Sequence, residues 1–131
     1  MIFVDTGAWY ASLVPTDPDH ARAAGWLGTN HSPLLTSDYV IDETLTLLRA
    51  RGERQRALLF GSKFFRGAIG EIHKVSPADL RHAWAVFQQF DDKGWSFTDC
   101  TSKVVMEQRG ITVAFAFDQH FHQFGTVTVV P

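Results

Sequence analysis

The chain has 131 residues, of which 45% are hydrophobic and 20% are charged, and its formal net charge is -2. This composition excludes a disordered chain, and the length suits one domain, residues 1–131, with a core of its own. The one cysteine, Cys100, excludes an internal disulfide and a cysteine-based zinc cluster. The mild acidity argues at first against a nucleic-acid partner, because phosphate-binding proteins usually carry a basic surface.

The sequence lacks the features of secreted and membrane proteins. Residues 1–5 contain no basic segment and lead into no long apolar stretch, so no signal peptide is visible. No apolar run approaches the roughly 18 residues that a membrane-spanning helix needs. Together with the single cysteine, these features predict a soluble, cytoplasmic protein in a reducing compartment, with no membrane partner.

Short apolar strands are predicted to alternate with helices along the whole chain. The first half predicts, in order, a strand over residues 1–4, a turn at Thr6-Gly7, a helix from Asp17 to Gly28, a strand from Pro33 to Thr36, and helices from Ser37 to Arg51 and from Glu53 to Arg66. The second half predicts a strand from Glu71 to Val75, helices from Ser76 to Phe90 and from Ser96 to Gly110, and strands from Ile111 to Phe117 and from Thr126 to Val130.

Capping residues set most of the predicted helix ends. Asp17-Pro18 and Ser76-Pro77 each combine an N-cap side chain with proline at the first helical position, and Gly52 stops the helix that begins at Ser37. The alternation of strands and helices indicates an α/β fold: a three-layer α/β/α sandwich with a mostly parallel central sheet. Ligands of such sheets bind at the carboxyl ends of the strands.

Two acids are predicted at that edge of the sheet. Asp5 ends the first strand and Asp118 ends a later one. Each of them taken singly is more simply explained as a turn former or a helix N-cap. Their common position at strand ends is what makes the pair informative.

Two further acids lie on predicted helices that begin near the same edge. Glu43 lies between Val40 and Leu47 at helical spacing, so its carboxylate is expected on or beside the apolar face, unless it extends to solvent. Asp99 lies three residues after Ser96, which is the spacing of a capping box. The alternative is that the start of this helix directs Asp99 toward the other acids.

A cluster of four carboxylates is tolerable only around cations, because the charges repel one another and are costly to bury. Hard oxygen ligands without thiolates select Mg²⁺ or Mn²⁺. Two such ions about 4 Å apart would suit in-line displacement at phosphorus.

Four segments of this sequence resemble the acidic motifs of the PIN-domain nucleases. They occur in the family's order, and the resemblance covers essentially the whole chain. The segments are Phe3-Val4-Asp5-Thr6, Ser37-Asp38-Tyr39-Val40-Ile41-Asp42-Glu43-Thr44, Ser96-Phe97-Thr98-Asp99-Cys100 and Phe115-Ala116-Phe117-Asp118-Gln119-His120-Phe121.

The resemblance implies a metal-dependent phosphodiesterase that acts on RNA. It assigns the metal-binding and catalytic roles to Asp5, Glu43, Asp99 and Asp118, and it makes Thr6 the hydroxyl residue beside the first acid. Two departures from the family pattern remove hydroxyl groups, since Gly7 and Ala116 stand where members often have serine or threonine. Hydroxyls around metal ligands support binding, so these departures bear on the strength of metal binding.

The sequence looks most similar to the small single-domain bacterial and archaeal members of the family. Many of these are VapC-type toxins of toxin–antitoxin pairs. This likeness implies a homodimer and a small antitoxin protein that blocks the site.

The mechanism that follows from the resemblance uses Mg²⁺ or Mn²⁺ on the carboxylates to orient and deprotonate a water for attack on phosphorus. One alternative is a phosphohydrolase or receiver domain with Asp5 as the nucleophile, but Gly7 stands where a haloacid-dehalogenase-like site needs a second Asp. Another alternative is a catalytically weak PIN-fold module that binds nucleic acid or a partner protein.

Basic residues are concentrated in one segment. Residues 49–66 carry +5 and the rest of the chain carries -7. A local patch can bind phosphates although the total charge is acidic, and a solvated helix surface is the alternative. Two divalent ions would also change the net charge from -2 to +2, so the acidity does not exclude RNA. The predicted RNA-binding residues are Arg49, Arg51, Arg54 and Arg56.

Histidines offer a second metal hypothesis. Asp118, His120 and His122 alternate, and on a continuing strand all three would face one side, as zinc ligands do. Against this, Phe121 and Phe124 have the character of core anchors, and a turn is expected after the strand.

Overall fold

A computed structural model describes residues 1–131 and contains five short strands. They are β1 Ile2–Val4, β2 Leu34–Ser37, β3 Glu71–His73, β4 Val113–Phe115 and β5 Thr128–Val130. All neighbouring strands pair in parallel, in the order β3-β2-β1-β4-β5. The predicted parallel sheet is confirmed, with β1 at its centre.

Six α-helices and one 3-10 helix connect the strands. They are α1 Thr6–Leu13, α2 His20–Thr29, α3 Asp38–Ala50, α4 Arg54–Phe65, α5 Pro77–Gln89, α6 Phe97–Arg109 and the 3-10 helix Gln119–Phe124. Crossovers between parallel strands are right-handed, so the strand order places α1 to α4 on one face of the sheet and α5 and α6 on the other. This is the predicted three-layer α/β/α sandwich. None of these helices has the length and apolar character needed to cross a membrane.

The core lies on both faces of the central strands. Phe3, Val4, Leu35, Ala114 and Phe115 are each fully buried. Because both faces are covered, these strands are apolar throughout and do not alternate between apolar and polar residues.

Two of the predicted helix starts form complete capping boxes. The Ser76 hydroxyl accepts the N–H of Asp79, whose carboxylate accepts the N–H of Ser76. Ser96 and Asp99 make the same reciprocal pair at the start of α6. At the other end of α6, Gly110 has a left-handed φ of 65°, a conformation that glycine adopts without strain.

The predicted turn at Thr6-Gly7 is wrong, because α1 begins at Thr6 without an intervening loop. The carbonyl of Asp5 accepts the N–H groups of Ala8 and Trp9, and both of those residues are buried in the core. Burial of this turn outweighs the low helix propensity of a single glycine.

The start of α2 is also later than predicted. The Asp17 carboxylate accepts the N–H of Asp19 at 2.8 Å, and the Asp17 carbonyl accepts the N–H of His20. These bonds make a turn around Pro18, so the helix begins at His20 and not at Pro18.

The chain after β4 differs most from the sequence-based expectation. β4 spans three residues, Val113–Phe115, where a strand to Phe117 is predicted. A 3-10 helix follows Asp118, and its Phe121 and Phe124 are buried. The expected core anchors are confirmed, but they belong to a helix that sequence periodicity does not indicate.

Candidate metal centre

The acidic residues lie at the point where the strand order of the sheet reverses. From β1 the chain moves through β2 to β3, and it returns to the other side of β1 at β4. Asp5 directly follows β1, and its N–H donates to the carbonyl of Phe115 at the end of β4. Asp118 follows three residues later. Open α/β sheets bind their ligands in the crevice at this position.

The carboxylate of Asp5 is buried, with 5% of the residue exposed, and it makes no capping bond to α1. Burial raises its pKa from 3.8 to about 7, and the N–H of Thr6 acts in the opposite direction. Three further carboxylates add to this rise in pKa: those of Asp99, Glu43 and Asp118. Four of the predicted site residues are therefore close enough to interact.

Asp99 serves the helix and faces the acidic cluster at the same time. Its Oδ2 accepts the N–H of Ser96 at 3.0 Å and lies 2.8 Å from Nδ1 of His120. Its Oδ1 accepts no hydrogen bond from the protein. The capping box and a place in the cluster are thus compatible functions of one carboxylate.

Asp118 is exposed, and it caps the 3-10 helix. Its Oδ1 accepts the N–H of His120 at 2.9 Å. One potential ligand atom from each of Asp99, Asp118 and His120 lies within 4.8 Å of the others, close enough to hold one metal ion. Asp118 therefore both caps the 3-10 helix and belongs to this cluster.

Glu43 does not lie on the apolar face of α3. Its side chain is exposed, while the neighbouring Val40 and Thr44 are buried, so it extends to solvent beside the apolar stripe. Its charge still reaches Asp5. Glu43 therefore lies at the open side of the cluster.

The donor set fits a divalent cation of the Mg²⁺ or Mn²⁺ class, since carboxylates supply most of the oxygens. The hydroxyl of Thr6 is buried beside Asp5 without a hydrogen-bond partner, as expected of a group that completes its bonding with a ligand or its water. A Cβ added at Gly7 would lie 4.0 Å from Oδ2 of Asp5, so a serine there would bring its hydroxyl to this carboxylate. That these residues bind metal stays a prediction.

His120 is the site residue that sequence reasoning did not place with the acids. The alternative in which Asp118, His120 and His122 face one side of a continuing strand does not hold, because the strand ends as expected and His120 and His122 lie in a 3-10 helix. That helix turns His120 back toward Asp99 and leaves His122 exposed and outside the cluster. The spacing of Asp118 and His120 in the sequence indicates that these two side chains are close together. The third member of the group, Asp99, comes from α6 and is not indicated by that spacing.

The four predicted RNA-binding arginines are exposed and lie together, but away from the acids. They occupy the end of α3 and the beginning of α4, and Arg49 is about 9 Å along the helix axis from Glu43, the site acid on α3. The guanidinium of Arg51 lies over the ring of Tyr10 at 4.9 Å, and Arg56 pairs with Glu53. Arg49 and Arg54 have no acidic partner.

Cys100 contributes no reactive thiolate. The residue is fully buried, and burial, together with the nearby Asp99 carboxylate, raises the pKa of the thiol to about 11. The thiol therefore stays protonated at neutral pH and acts as a small core side chain.

Comparison with known families agrees with this geometry. The PIN domain family model matches residues 2–127, so the chain belongs to the PIN domain family. The 23S rRNA-specific endonuclease VapC20 of Mycobacterium tuberculosis is 36% identical over 132 residues, which covers 100% of this chain and 99% of VapC20.

Two solved structures share the fold. The crystal structure of Mycobacterium tuberculosis VapC20, a sarcin-ricin loop cleaving toxin, matches with a TM-score of 0.92 and 31% identity over 100% of both chains. FitAcB from Neisseria gonorrhoeae matches with a TM-score of 0.67 and 14% identity, over 100% of this chain and 97% of the other. The second match shows the fold alone.

Replacing Asp5 with asparagine is expected to stabilise the metal-free protein at pH 8. The unfolded carboxyl group loses its proton near pH 3.8 and the folded one near pH 7, so ionisation lowers stability as pH rises through this window. Asparagine cannot ionise, and a gain of 1 kcal/mol raises Tm by roughly 3–6 °C in a domain of this size. Thermal unfolding in EDTA measures the difference.

The same measurement at pH 4 is the internal control, because there the folded carboxyl group of Asp5 is protonated and the pH is only just above the unfolded pKa of 3.8, so little of the destabilisation by ionisation has developed. The two proteins should then unfold at similar temperatures. An Asp5→Asn variant that is less stable than wild type at pH 8 would contradict the burial argument.

Proposed function

We propose that this chain is a metal-dependent endoribonuclease, formed by a single domain over residues 1–131. The observation that carries the proposal is the buried carboxylate of Asp5 at the reversal of strand order, whose pKa is raised by the charges of Asp99, Glu43 and Asp118. Membership of the PIN domain family and the likeness to an endonuclease over the whole chain support it.

The acids would hold Mg²⁺ or Mn²⁺, with Asp5 at the buried side and Glu43 and Asp118 at the exposed side. The ion would polarise the phosphate and lower the pKa of a bound water. The protein's own part is electrostatic: the clustered carboxylates create the negative potential that attracts the cation, and Asp99 is held in position by α6. The hydroxyl of Thr6 is available to bind a water beside Asp5.

The substrate we propose is the sarcin-ricin loop of 23S rRNA. The support is that VapC20, similar to this chain over its full length, is described as a 23S rRNA-specific endonuclease that cleaves this loop. The acids do not line the cavity of about 830 Å³ between α3 and α4. A site at the carboxyl ends of the central strands, with Glu43 and Asp118 exposed, suits a polymeric substrate that lies across the surface.

Cleavage of a sarcin-ricin loop oligonucleotide is expected with Mg²⁺ or Mn²⁺ and not with EDTA. Asp5→Asn and Asp118→Asn should each lower the rate about 100-fold or more, because each removes charge from the cation site. Mapping of 5′ ends by gel or sequencing measures both rate and position.

Asp42→Asn is the matched control, because Asp42 is exposed on α3 beside Glu43 and does not contribute to the shift at Asp5. It should cleave at the wild-type rate. Cleavage that survives Asp5→Asn would reveal a contaminant or another site. Cleavage of other RNAs in preference to this loop would refute the proposed substrate but not the proposed nuclease activity.

We also propose that the arginines at the junction of α3 and α4 bind the RNA backbone. Arg49, Arg51, Arg54 and Arg56 are exposed on a segment with one acid, Glu53. Their distance from the acids suits contact with nucleotides remote from the cleaved bond. Such contacts would position the loop and carry little sequence information.

The double variant Arg54→Ala, Arg56→Ala should weaken RNA binding and reduce the slope of log K against log salt by up to about 2. Fluorescence anisotropy in Ca²⁺ at several salt concentrations measures the slope without cleavage. Lys74→Ala with Arg81→Ala removes two exposed charges elsewhere and is the matched control. An unchanged slope in the first variant would remove these arginines from the interface.

We propose that the chain is the toxin of a toxin–antitoxin pair and a homodimer. Two exposed apolar surfaces support protein contacts. One is a cavity of about 830 Å³ between α3 and α4, bordered by Leu58 and Phe65, which suits an antitoxin segment. The other is on α5, where Trp84 and Phe87 stack with ring centroids 5.9 Å apart and are 54% and 40% exposed, which suits a second copy.

Replacing Trp84 and Phe87 together with glutamine should convert a dimer into a monomer, since the aromatic surface would lose its apolar character. Light scattering after size-exclusion chromatography measures the mass. Phe65→Gln, at another exposed aromatic residue, is the control and should leave the mass unchanged. A wild-type protein that is monomeric at about 100 μM would contradict the dimer.

A further inference from the structure

We propose that His120 is a positioning residue that fixes the carboxylates of Asp99 and Asp118 for a divalent cation. This inference rests on the metal site of the proposed function and gives a role to a residue to which the resemblance assigns none. Its basis is the geometry of one histidine that contacts two acids from different parts of the chain.

His120 bonds to the two acids through different atoms. Its ring Nδ1 lies 2.8 Å from Oδ2 of Asp99, on α6. Its backbone N–H donates to Oδ1 of Asp118 at 2.9 Å, and the ring Nδ1 lies 3.4 Å from that same oxygen. One residue therefore connects the start of α6 with the start of the 3-10 helix.

These bonds leave one oxygen of each acid available. Oδ2 of Asp99 is occupied by the N–H of Ser96 and by His120, so its Oδ1 is left for a ligand. Oδ1 of Asp118 is occupied by the N–H of His120, so its Oδ2 is left in the same way. Without the imidazole these main-chain bonds would remain, but the like charges of the two carboxylates would face each other with no ring N–H between them, which favours a wider separation.

The backbone of His120 is held by the core beside it. Phe121 is fully buried and stacks on Phe3 of the central strand, with ring centroids 6.3 Å apart. Phe124 is buried one turn further along the 3-10 helix. The position of the imidazole is therefore fixed by the same strand that ends in Asp5.

Hydrogen bonding to the Asp99 carboxylate requires a proton on Nδ1, because carboxylate oxygens only accept. An asparagine at this position would place an amide N–H where Nδ1 lies, the same number of bonds from the backbone. A glutamine would place its amide one bond further away. Hydrogen-bond partners that orient a metal ligand typically contribute about 10- to 100-fold to metal affinity.

The test is the Mg²⁺ affinity, measured by isothermal titration calorimetry on the full chain. We expect His120→Ala and His120→Gln to bind Mg²⁺ about 10- to 100-fold more weakly than wild type. We expect His120→Asn to stay close to wild type, and His122→Ala, exposed on the same helix, to be unchanged. If the alanine variant does not fold, the comparison of asparagine with glutamine carries the test.

Wild-type affinity in both His120→Ala and His120→Gln would overturn the proposal, as would a wild-type protein that binds neither Mg²⁺ nor Mn²⁺. A second readout separates positioning from direct ligation. With Mn²⁺ bound, electron spin echo spectroscopy should show no strong ¹⁴N coupling from imidazole; a strong coupling lost in His120→Ala would make His120 a ligand and overturn its positioning role.

The outcomes for His120 and for the nuclease are distinguishable. Protein that binds Mg²⁺ with this dependence on His120 but cleaves no RNA would refute the nuclease and keep the role of His120. A protein that cleaves RNA, and whose Mg²⁺ affinity is unchanged by His120→Ala, would refute the role of His120 and keep the nuclease.

Discussion

The burial of one carboxylate is the constraint on which the site depends. A buried carboxylate is costly unless it binds a proton or a cation, and Asp5 is buried in the presence of three other acids. It lies there because it follows the central strand, whose carboxyl end meets that of β4 where the strand order reverses. The carboxylates of Asp99, Glu43 and Asp118 add negative charge at this point, and the N–H of Thr6 partly offsets it.

Both backbone polar groups of Asp5 are hydrogen-bonded within the protein, whereas its side chain makes no capping bond. The N–H of Asp5 donates to Phe115, and its carbonyl accepts from the first turn of α1. A loop between β1 and α1 would let this segment move, whereas the immediate start of α1 fixes it. The backbone from which the carboxylate extends is thus held by main-chain bonds on both sides, as a preorganised electrostatic site requires.

Much of this architecture could be predicted from the sequence because it depends on local interactions. The helix starts at Ser37, Ser76 and Ser96 follow from side chains that bond to N–H groups three residues away. The convergence of Asp5 and Asp118 follows from their position after strands of a parallel sheet. These inferences need only the identity of neighbouring residues and the general rule for such sheets.

The parts that could not be predicted depend on contacts between distant residues. The 3-10 helix is too short for a periodic signal, and it is held by Phe121 against Phe3, near the other end of the chain. The place of His120 follows from that contact. The exposure of Glu43 likewise depends on what covers the neighbouring side of α3, and no property of Glu43 itself determines it.

The double use of Asp99 couples the site to the cooperative folding of the domain. The carboxylate that starts α6 is part of the acidic cluster, so fraying of this one helical turn would remove it from the cluster. Partly folded forms, including a chain still emerging from the ribosome, would keep the sequence of the site without its geometry. The complete cluster would exist only once residues near both ends of the chain have packed, and a newly made molecule would remain inert until then.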